Sequence, residues 1–293
     1  MNDKVKIIKY GIVAHGGAGS PEENSDGCRK ACASGFRMLK VGKSSLDAVV
    51  EAVKIMENDK RFNAGFGSAL RIDGKTVEMD AALMSSSGNI GIVINIRDVK
   101  NPILLARAVL DTPHVALAGR GAEKFAREVG FESFSRVPLE AKKRYRELMK
   151  ALKDVSPEEF NRFWEKYLPS DTVGAVALDR DGVFSVATST GGSVPMMVGR
   201  VGDTPMPGCG FYCGEHGAVA FTGVGEEIIR KMSSALVYDL LAKGADTEDA
   251  CEKALGLFPS VMRTGVIAIS KEGHAAMSNK GMASHAIIEY ADE

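Results

Sequence analysis

No apolar run in this 293-residue chain approaches the ~18 residues that a membrane-spanning helix requires. An excess of one charge is equally lacking: 37 Lys and Arg face 38 Asp and Glu, a formal net charge of -1. That balance leaves no electrostatic footprint for nucleic acid or for an acidic membrane surface, so a small molecule or short peptide is the expected ligand. Cysteine is scarce and odd in number: Cys28, Cys32, Cys209, Cys213 and Cys251 do not suit a disulfide scaffold and fit a reducing compartment. The spacing Cys28/Cys32 and Cys209/Cys213 invites a four-cysteine zinc reading, but no histidine flanks either pair at finger spacing and the first pair falls on an expected helix. Small buried apolar side chains are the preferred reading. The start, Met1-Asn2-Asp3-Lys4-Val5-Lys6, is charged and lacks the apolar region and small-residue cleavage site of a signal peptide, so a cytoplasmic location is expected.

Familiar catalytic signatures are missing too. His15-Gly16-Gly17-Ala18-Gly19-Ser20 lacks the lysine of a phosphate loop, and Gly223-Val224-Gly225 runs into Glu226 and Glu227, which would repel phosphate. None of the five histidines stands in H-E-x-x-H spacing, no G-x-S-x-G elbow occurs, and a Ser-His-Asp triad has no positive support. What remains is an ordinary globular composition, 45% hydrophobic and 26% charged, on a length that fits one large domain or two small ones.

Periodicity outlines the elements. Ile7–Val13 reads as a buried strand ending in the glycine turn His15–Gly19, and Ser20 with Glu23 reads as a capping box opening a helix toward Leu39. Leu46, Val49, Val50, Val53 and Met56 form the apolar stripe of a second helix. Val77–Met84 and Gly91–Val99 are expected strands; Leu104–Leu110 and Ala122–Val129 are expected helices. Strands in runs with helices gathered outside them predict antiparallel sheet and helix layers, an α+β class, instead of alternating βαβ units. Residues 140–166 carry fourteen charges, eight basic and six acidic, and read as a solvated, helix-forming connector. Beyond it, Val173–Leu178 and Val183–Thr188 form an expected hairpin around Asp179–Gly182. Ala218–Thr222 is a further strand, Glu226–Leu241 and Thr247–Leu257 are helices, and Gly265–Ile269, His274–Met277 and Ala286–Tyr290 are late strands. The second half repeats the plan of the first, which predicts that the halves pair sheet on sheet.

Asp171-Thr172 stands at the end of the connector, where a polar turn meets an apolar, β-prone run. A mid-chain threonine hydroxyl is a poor nucleophile. An N-terminal threonine has its own α-amine, with a reference pKa of about 7.7–8.0, to act as base. Cleavage of the Asp171–Thr172 bond would therefore put nucleophile and base in one residue. Downstream lie Thr188–Gly192, Gly199–Asp203 and Thr222–Glu226, polar or glycine-rich turns beside β-type runs, where a rigid sheet can aim N–H groups and hydroxyls into a cleft. Arg200 offers a guanidinium fork for a carboxylate and Asp203 a carboxylate for an ammonium, a clamp for a free amino-acid head group. The alternative is that the two pair with each other on the surface.

In order along almost the whole chain, His15–Gly19, Phe62–Gly67, Met79–Ala82, Asn101–Ile103, Thr112–Val115, Thr172–Asp179, Thr188–Gly192, Gly199–Asp203 and Thr222–Gly225 resemble the plant-type asparaginase and isoaspartyl aminopeptidase family of N-terminal-nucleophile hydrolases. The resemblance implies a single domain with a four-layer αββα sandwich. It implies self-cleavage into an α subunit, 1–171, ending in the charged connector 139–171, and a β subunit, 172–293. A homodimer of αβ units is implied as well. Thr172 would be nucleophile and base, with Thr190 hydrogen-bonding beside it. Thr222 and Gly223 would form the oxyanion hole, and Asn63 would support the site. Arg200 would hold the substrate α-carboxylate and Asp203 its α-ammonium, with Gly225 beside them. The implied reaction hydrolyses the side-chain amide of asparagine or the β-linked amide of an isoaspartyl dipeptide, without a catalytic cofactor. A structural sodium would sit on the backbone carbonyls of Met56, Glu57, Asp59, Phe62, Ala64 and Phe66. Asp171 stands where the asparaginase branch usually has Gly and is more like the glycosylasparaginase and taspase-like branches, which remain alternatives. So does an uncleaved binding protein of the same fold. Residues 193–198 lack a basic residue often found there and are unusually apolar.

Overall fold

A computed structural model describes residues 7–153, 172–193 and 196–291. Two sheets organise them. The larger runs β11-β1-β5-β6-β2-β3-β4, built from β1 (Ile8–Ala18), β2 (Met79–Ser85), β3 (Ile90–Ile96), β4 (Ala116–Ala118), β5 (Val173–Leu178), β6 (Phe184–Thr190) and β11 (Met282–Tyr290). The smaller runs β10-β9-β8-β7, from β7 (Phe211–Gly214), β8 (Gly217–Gly223), β9 (Thr264–Ile269) and β10 (His274–Ser278). Pairing is antiparallel throughout except between β3 and β4. The expected α+β class holds.

Period-two alternation sorts the strand side chains. Val173, Ala175 and Ala177 of β5 join a core with helices α1 (Ser25–Lys40), α2 (Ser45–Glu57), α3 (Pro102–Val109) and α4 (Gly119–Glu128). Val176 and Leu178, on the opposite face, pack with Ala218 and Ala220 of β8 and with Ile267 and Ile269 of β9. Val219 and Phe221, facing away from that contact, pack with Val237 and Leu241 of α7 (Ser233–Ala242) and Ala250 and Cys251 of α8 (Thr247–Leu255). The α2 stripe is buried as its spacing predicts. The connector does begin as a helix, α5 (Leu139–Ala151), tied down by a hydrogen bond from Tyr145 to the Ile72 carbonyl at 2.9 Å and one from Arg144 to the Gly67 carbonyl at 3.1 Å. Its remaining part and Asp171 lie outside the described residues. Among the described residues no helix is long and apolar enough to cross a membrane.

Four expectations need correction. The halves do not each make a sheet: β1 lies between β11 and β5, so the larger sheet interleaves strands from both sides of Thr172. His15–Ala18 is strand, not turn, with a register irregularity opposite β11 that absorbs the glycines. Ser20 does not cap α1; its hydroxyl accepts the Ala283 N–H at 3.0 Å, and a 3-10 turn, Glu22–Asn24, precedes the helix. Glu226–Leu241 is two helices, α6 (Gly225–Lys231) and α7, broken at Met232 with φ 47°. Ser234 Oγ donates to the Cys209 carbonyl at 2.7 Å beside that break, fixing the new direction.

Candidate active site

Thr172 directly precedes β5, and the register Val173↔Ser189 brings it alongside Thr190 at the end of β6. Thr172 is buried; its Oγ1 donates to Thr190 Oγ1 at 3.3 Å and lies 3.4 Å from Thr204 Oγ1. Thr190 Oγ1 also accepts the Gly192 N–H at 3.1 Å, so both of its acceptor sites are used. Thr204, absent from the sequence reading, is held by Thr188 Oγ1 donating to its carbonyl at 3.1 Å.

Thr222 and Gly223 end β8 in the facing sheet. The Ala18 N–H donates to Thr222 Oγ1 at 3.3 Å, which ties the end of β1 to this strand. His15, three residues earlier, is fully buried with its Nδ1 accepting the Gly17 N–H at 3.2 Å. Burial pushes the imidazole down to about 3 against an upward pull from the Thr172 backbone, so it is neutral near pH 7. Gly16 has to be glycine, because a Cβ there would stand 2.3 Å from the Phe62 ring.

Asn63 props the site from the upstream segment. Its side-chain amide donates to the Gly192 carbonyl and accepts the Ala69 N–H at 2.8 Å, while its own carbonyl accepts the Gly191 N–H at 2.8 Å. With both ends of the amide engaged, its role is to fix the turn that follows Thr190.

Arg200 and Asp203 do come together, though not as partners. A Cβ at Gly225 would stand 2.7 Å from Asp203 Oδ1 and 2.8 Å from Arg200 Nη2, so the absent side chain is what lets both groups approach this point. Arg200 pairs instead with Glu226, which the sequence placed at the end of a turn and read as repelling phosphate, through Nε at 2.9 Å and Nη2 at 2.8 Å. Asp203 is buried and its Oδ2 has no hydrogen-bond partner among the described residues. Burial pushes its carboxyl up to about 7, with the Arg200 charge acting the other way. An orphaned buried carboxylate oxygen is costly unless something fills the place, and a ligand ammonium is the matching group.

On the loop expected to hold sodium, a Cβ at Gly65 would fall 2.8 Å from the Glu57 carbonyl oxygen and one at Gly67 1.9 Å from that of Phe62, so glycine lets the chain pass close to both carbonyls. The Glu57 side chain is engaged elsewhere, accepting Ser189 Oγ at 2.7 Å, the Ile103 N–H at 2.9 Å and Asn101 Nδ2 at 3.1 Å. Burial pushes that carboxyl up to about 7, those three hydrogen bonds opposing it. Among the described residues no group of three or more His, Cys, Asp or Glu is disposed to hold a metal ion. A cation here would depend on the carbonyls. Cys28 and Cys32 lie in the core beneath the larger sheet and Cys213 between the sheets, so the two cysteine pairs do not converge.

A family model described as Asparaginase matches residues 8–293. The chain is 40% identical to the plant-type L-asparaginase of Pyrococcus furiosus over 91% of this chain and 92% of that protein. It is 41% identical to the plant-type L-asparaginase of Thermococcus kodakarensis over the same shares. The isoaspartyl peptidase/L-asparaginase of Rattus norvegicus is 41% identical over 89% of this chain and 80% of its own length.

Proposed function

The chain belongs to the asparaginase family, and from that premise we propose that it is a threonine amidohydrolase that activates itself by cleaving before Thr172 and then hydrolyses asparagine and β-aspartyl dipeptides. The observation that carries this reading is the placement of the Thr172 hydroxyl against Thr190, on the same strand ends that feed a carboxylate-and-ammonium clamp. The two packed sheets, with helices against the outer face of each, support a four-layer αββα sandwich of the N-terminal-nucleophile type. In this reading residues 1–171 and 172–293 are the two subunits, associated as a homodimer of αβ units in the cytoplasm.

Activation proceeds by attack of Thr172 Oγ on the preceding carbonyl carbon, converting the peptide bond to an ester that water hydrolyses. Thr172 is left with a free amine. In turnover that amine takes the proton of its own hydroxyl as Oγ attacks the substrate side-chain carbonyl. The oxyanion is met by the Thr222 hydroxyl and the Gly223 N–H. Ammonia, or the amine of the departing amino acid, leaves with a proton, and water releases aspartate from the β-aspartyl ester. Arg200 receives the α-carboxylate and Asp203 the α-ammonium throughout. The carbonyls of Met56, Glu57, Asp59, Phe62, Ala64 and Phe66 would hold a sodium ion, whose charge would stiffen the loop leading to Asn63.

An endopeptidase substrate has no free α-amine to satisfy Asp203, which favours the small-substrate reading over a taspase-like one. Steady-state kinetics on asparagine, β-aspartyl dipeptides and a glycosylated asparagine test it. Turnover of either of the first two supports the proposal, and turnover of the glycosylated compound alone overturns it.

A further inference from the structure

Arg71 is the largest fully buried side chain among the described residues, with no exposed surface. A guanidinium in that position is costly unless its donors are matched, and a well-packed apolar residue would do as well for stability. Its donors are matched in one direction. Nε reaches Glu78 Oε2 at 3.2 Å, and Nη2 reaches the Glu78 carbonyl at 3.0 Å. Nη2 also reaches the Arg200 carbonyl at 3.4 Å, and Nη1 the Met196 sulfur at 3.6 Å. The guanidinium lies so close to Gly192 that a Cβ there would be 2.2 Å from Nη1.

Glu78 completes the grip. Its Oε2 also accepts the Gly199 N–H at 2.7 Å, and Oε1 accepts Arg97 Nη2 at 2.6 Å. The next residue after Arg71 adds a main-chain hydrogen bond, Ile72 N–H to the Met196 carbonyl at 2.8 Å. Arg71 and Glu78 thus hold the downstream chain at Met196, Gly199 and Arg200, on the stretch that ends in the carboxylate-binding guanidinium. Glu226 fixes the Arg200 side chain; nothing else among the described residues donates to its main-chain carbonyl.

We propose that Arg71, with Glu78, is a positioning residue that sets where Arg200 presents its guanidinium, and so governs recognition of the substrate α-carboxylate. The inference rests on the functional reading above, in which Arg200 receives that group. A fault in positioning acts only on substrates that carry the carboxylate, whereas a general packing fault acts on all.

The test compares asparagine with 3-aminopropanamide, which keeps the reacting amide and the ammonium but lacks the α-carboxylate. For Arg71→Met the expected result is normal cleavage before Thr172 and a KM for asparagine raised by about tenfold, the scale of one charge-assisted hydrogen bond. The kcat for asparagine should change much less, and kcat/KM for 3-aminopropanamide should stay level. Arg71→Lys keeps a cation beside Glu78 but has no second arm for the Arg200 carbonyl, so it should show the same split at smaller size. It carries the test if the neutral variant does not accumulate. Equal losses on both substrates, or no loss on asparagine, would overturn the inference. A wild-type enzyme inactive on asparagine and β-aspartyl dipeptides would instead defeat the functional reading.

Discussion

Arg200 donates twice to Glu226, at 2.9 Å from Nε and 2.8 Å from Nη2, so the guanidinium reaches the site already oriented by a carboxylate. Two variants separate binding from orientation. Arg200→Ala should lower kcat/KM for asparagine on the order of a hundredfold, since a bidentate charged contact contributes about 3 kcal/mol. Glu226→Ala leaves the guanidinium in place but free to turn, so its effect should be smaller and mainly on KM. If Glu226→Ala matched Arg200→Ala in kcat, Glu226 would be acting directly in the reaction.

Asp203 gives a pH signature. Its carboxyl, pushed up to about 7 by burial, is neutral below that pH and then cannot pair with an ammonium. The kcat/KM profile should therefore rise through about pH 7, together with the limb from the Thr172 amine. Asp203→Asn should remove the first limb.

Stability responds to the same group in the opposite direction. Because the folded value lies above the unfolded one, the folded chain holds a proton that the unfolded chain has released between about pH 4 and 7. This contribution to stability is full below about pH 4 and falls as pH rises through that window. Asp203→Asn should therefore melt above the wild type at about pH 8 and close to it at about pH 4. A variant that melts lower at both would show that the carboxylate is structurally supported and not strained by burial.

The proposed sodium on the carbonyls around Gly65 and Gly67 predicts a specific ion effect. Replacing sodium chloride with tetramethylammonium chloride at equal ionic strength should lower Tm by about 2–4 °C, as loss of a ligand bound only by the folded state does. Gly67→Ala, whose Cβ would stand 1.9 Å from the Phe62 oxygen, should abolish the difference between the two salts. An equal Tm in both salts for the wild type would remove the sodium assignment.

Local signals were legible in the chain and long-range ones were not. The hairpin at Asp179–Gly182 and the α2 stripe could be read because turn chemistry and a 3.6-residue period lie within one window. The insertion of β1 between β11 and β5 has no such signal, since it joins segments from opposite ends of the chain. β7 was missed because Phe211–Gly214 is only four residues long and is defined by its pairing with β8. In the site, residue types singled out Arg200 and Asp203, which the structure brings near one another beside Gly225. Glu226 as the partner of Arg200, Thr204 beside Thr172 and the buried Arg71 all depend on contacts between segments. Only the acidic residue directly after Gly225 offered a hint, and it was read as repelling phosphate.

The most direct test of the central claim is the intact mass and N-terminal sequence of the purified protein, wild type beside Thr172→Ala, with amide hydrolysis assayed on the same samples. The expected wild-type result is two fragments, the second beginning Thr172-Val173-Gly174, with activity appearing as the fragments do. Thr172→Ala should remain one inactive chain. A wild-type chain that stays whole yet hydrolyses asparagine, or a Thr172→Ala chain that is cleaved and active, would contradict the assignment of Thr172 as the nucleophile.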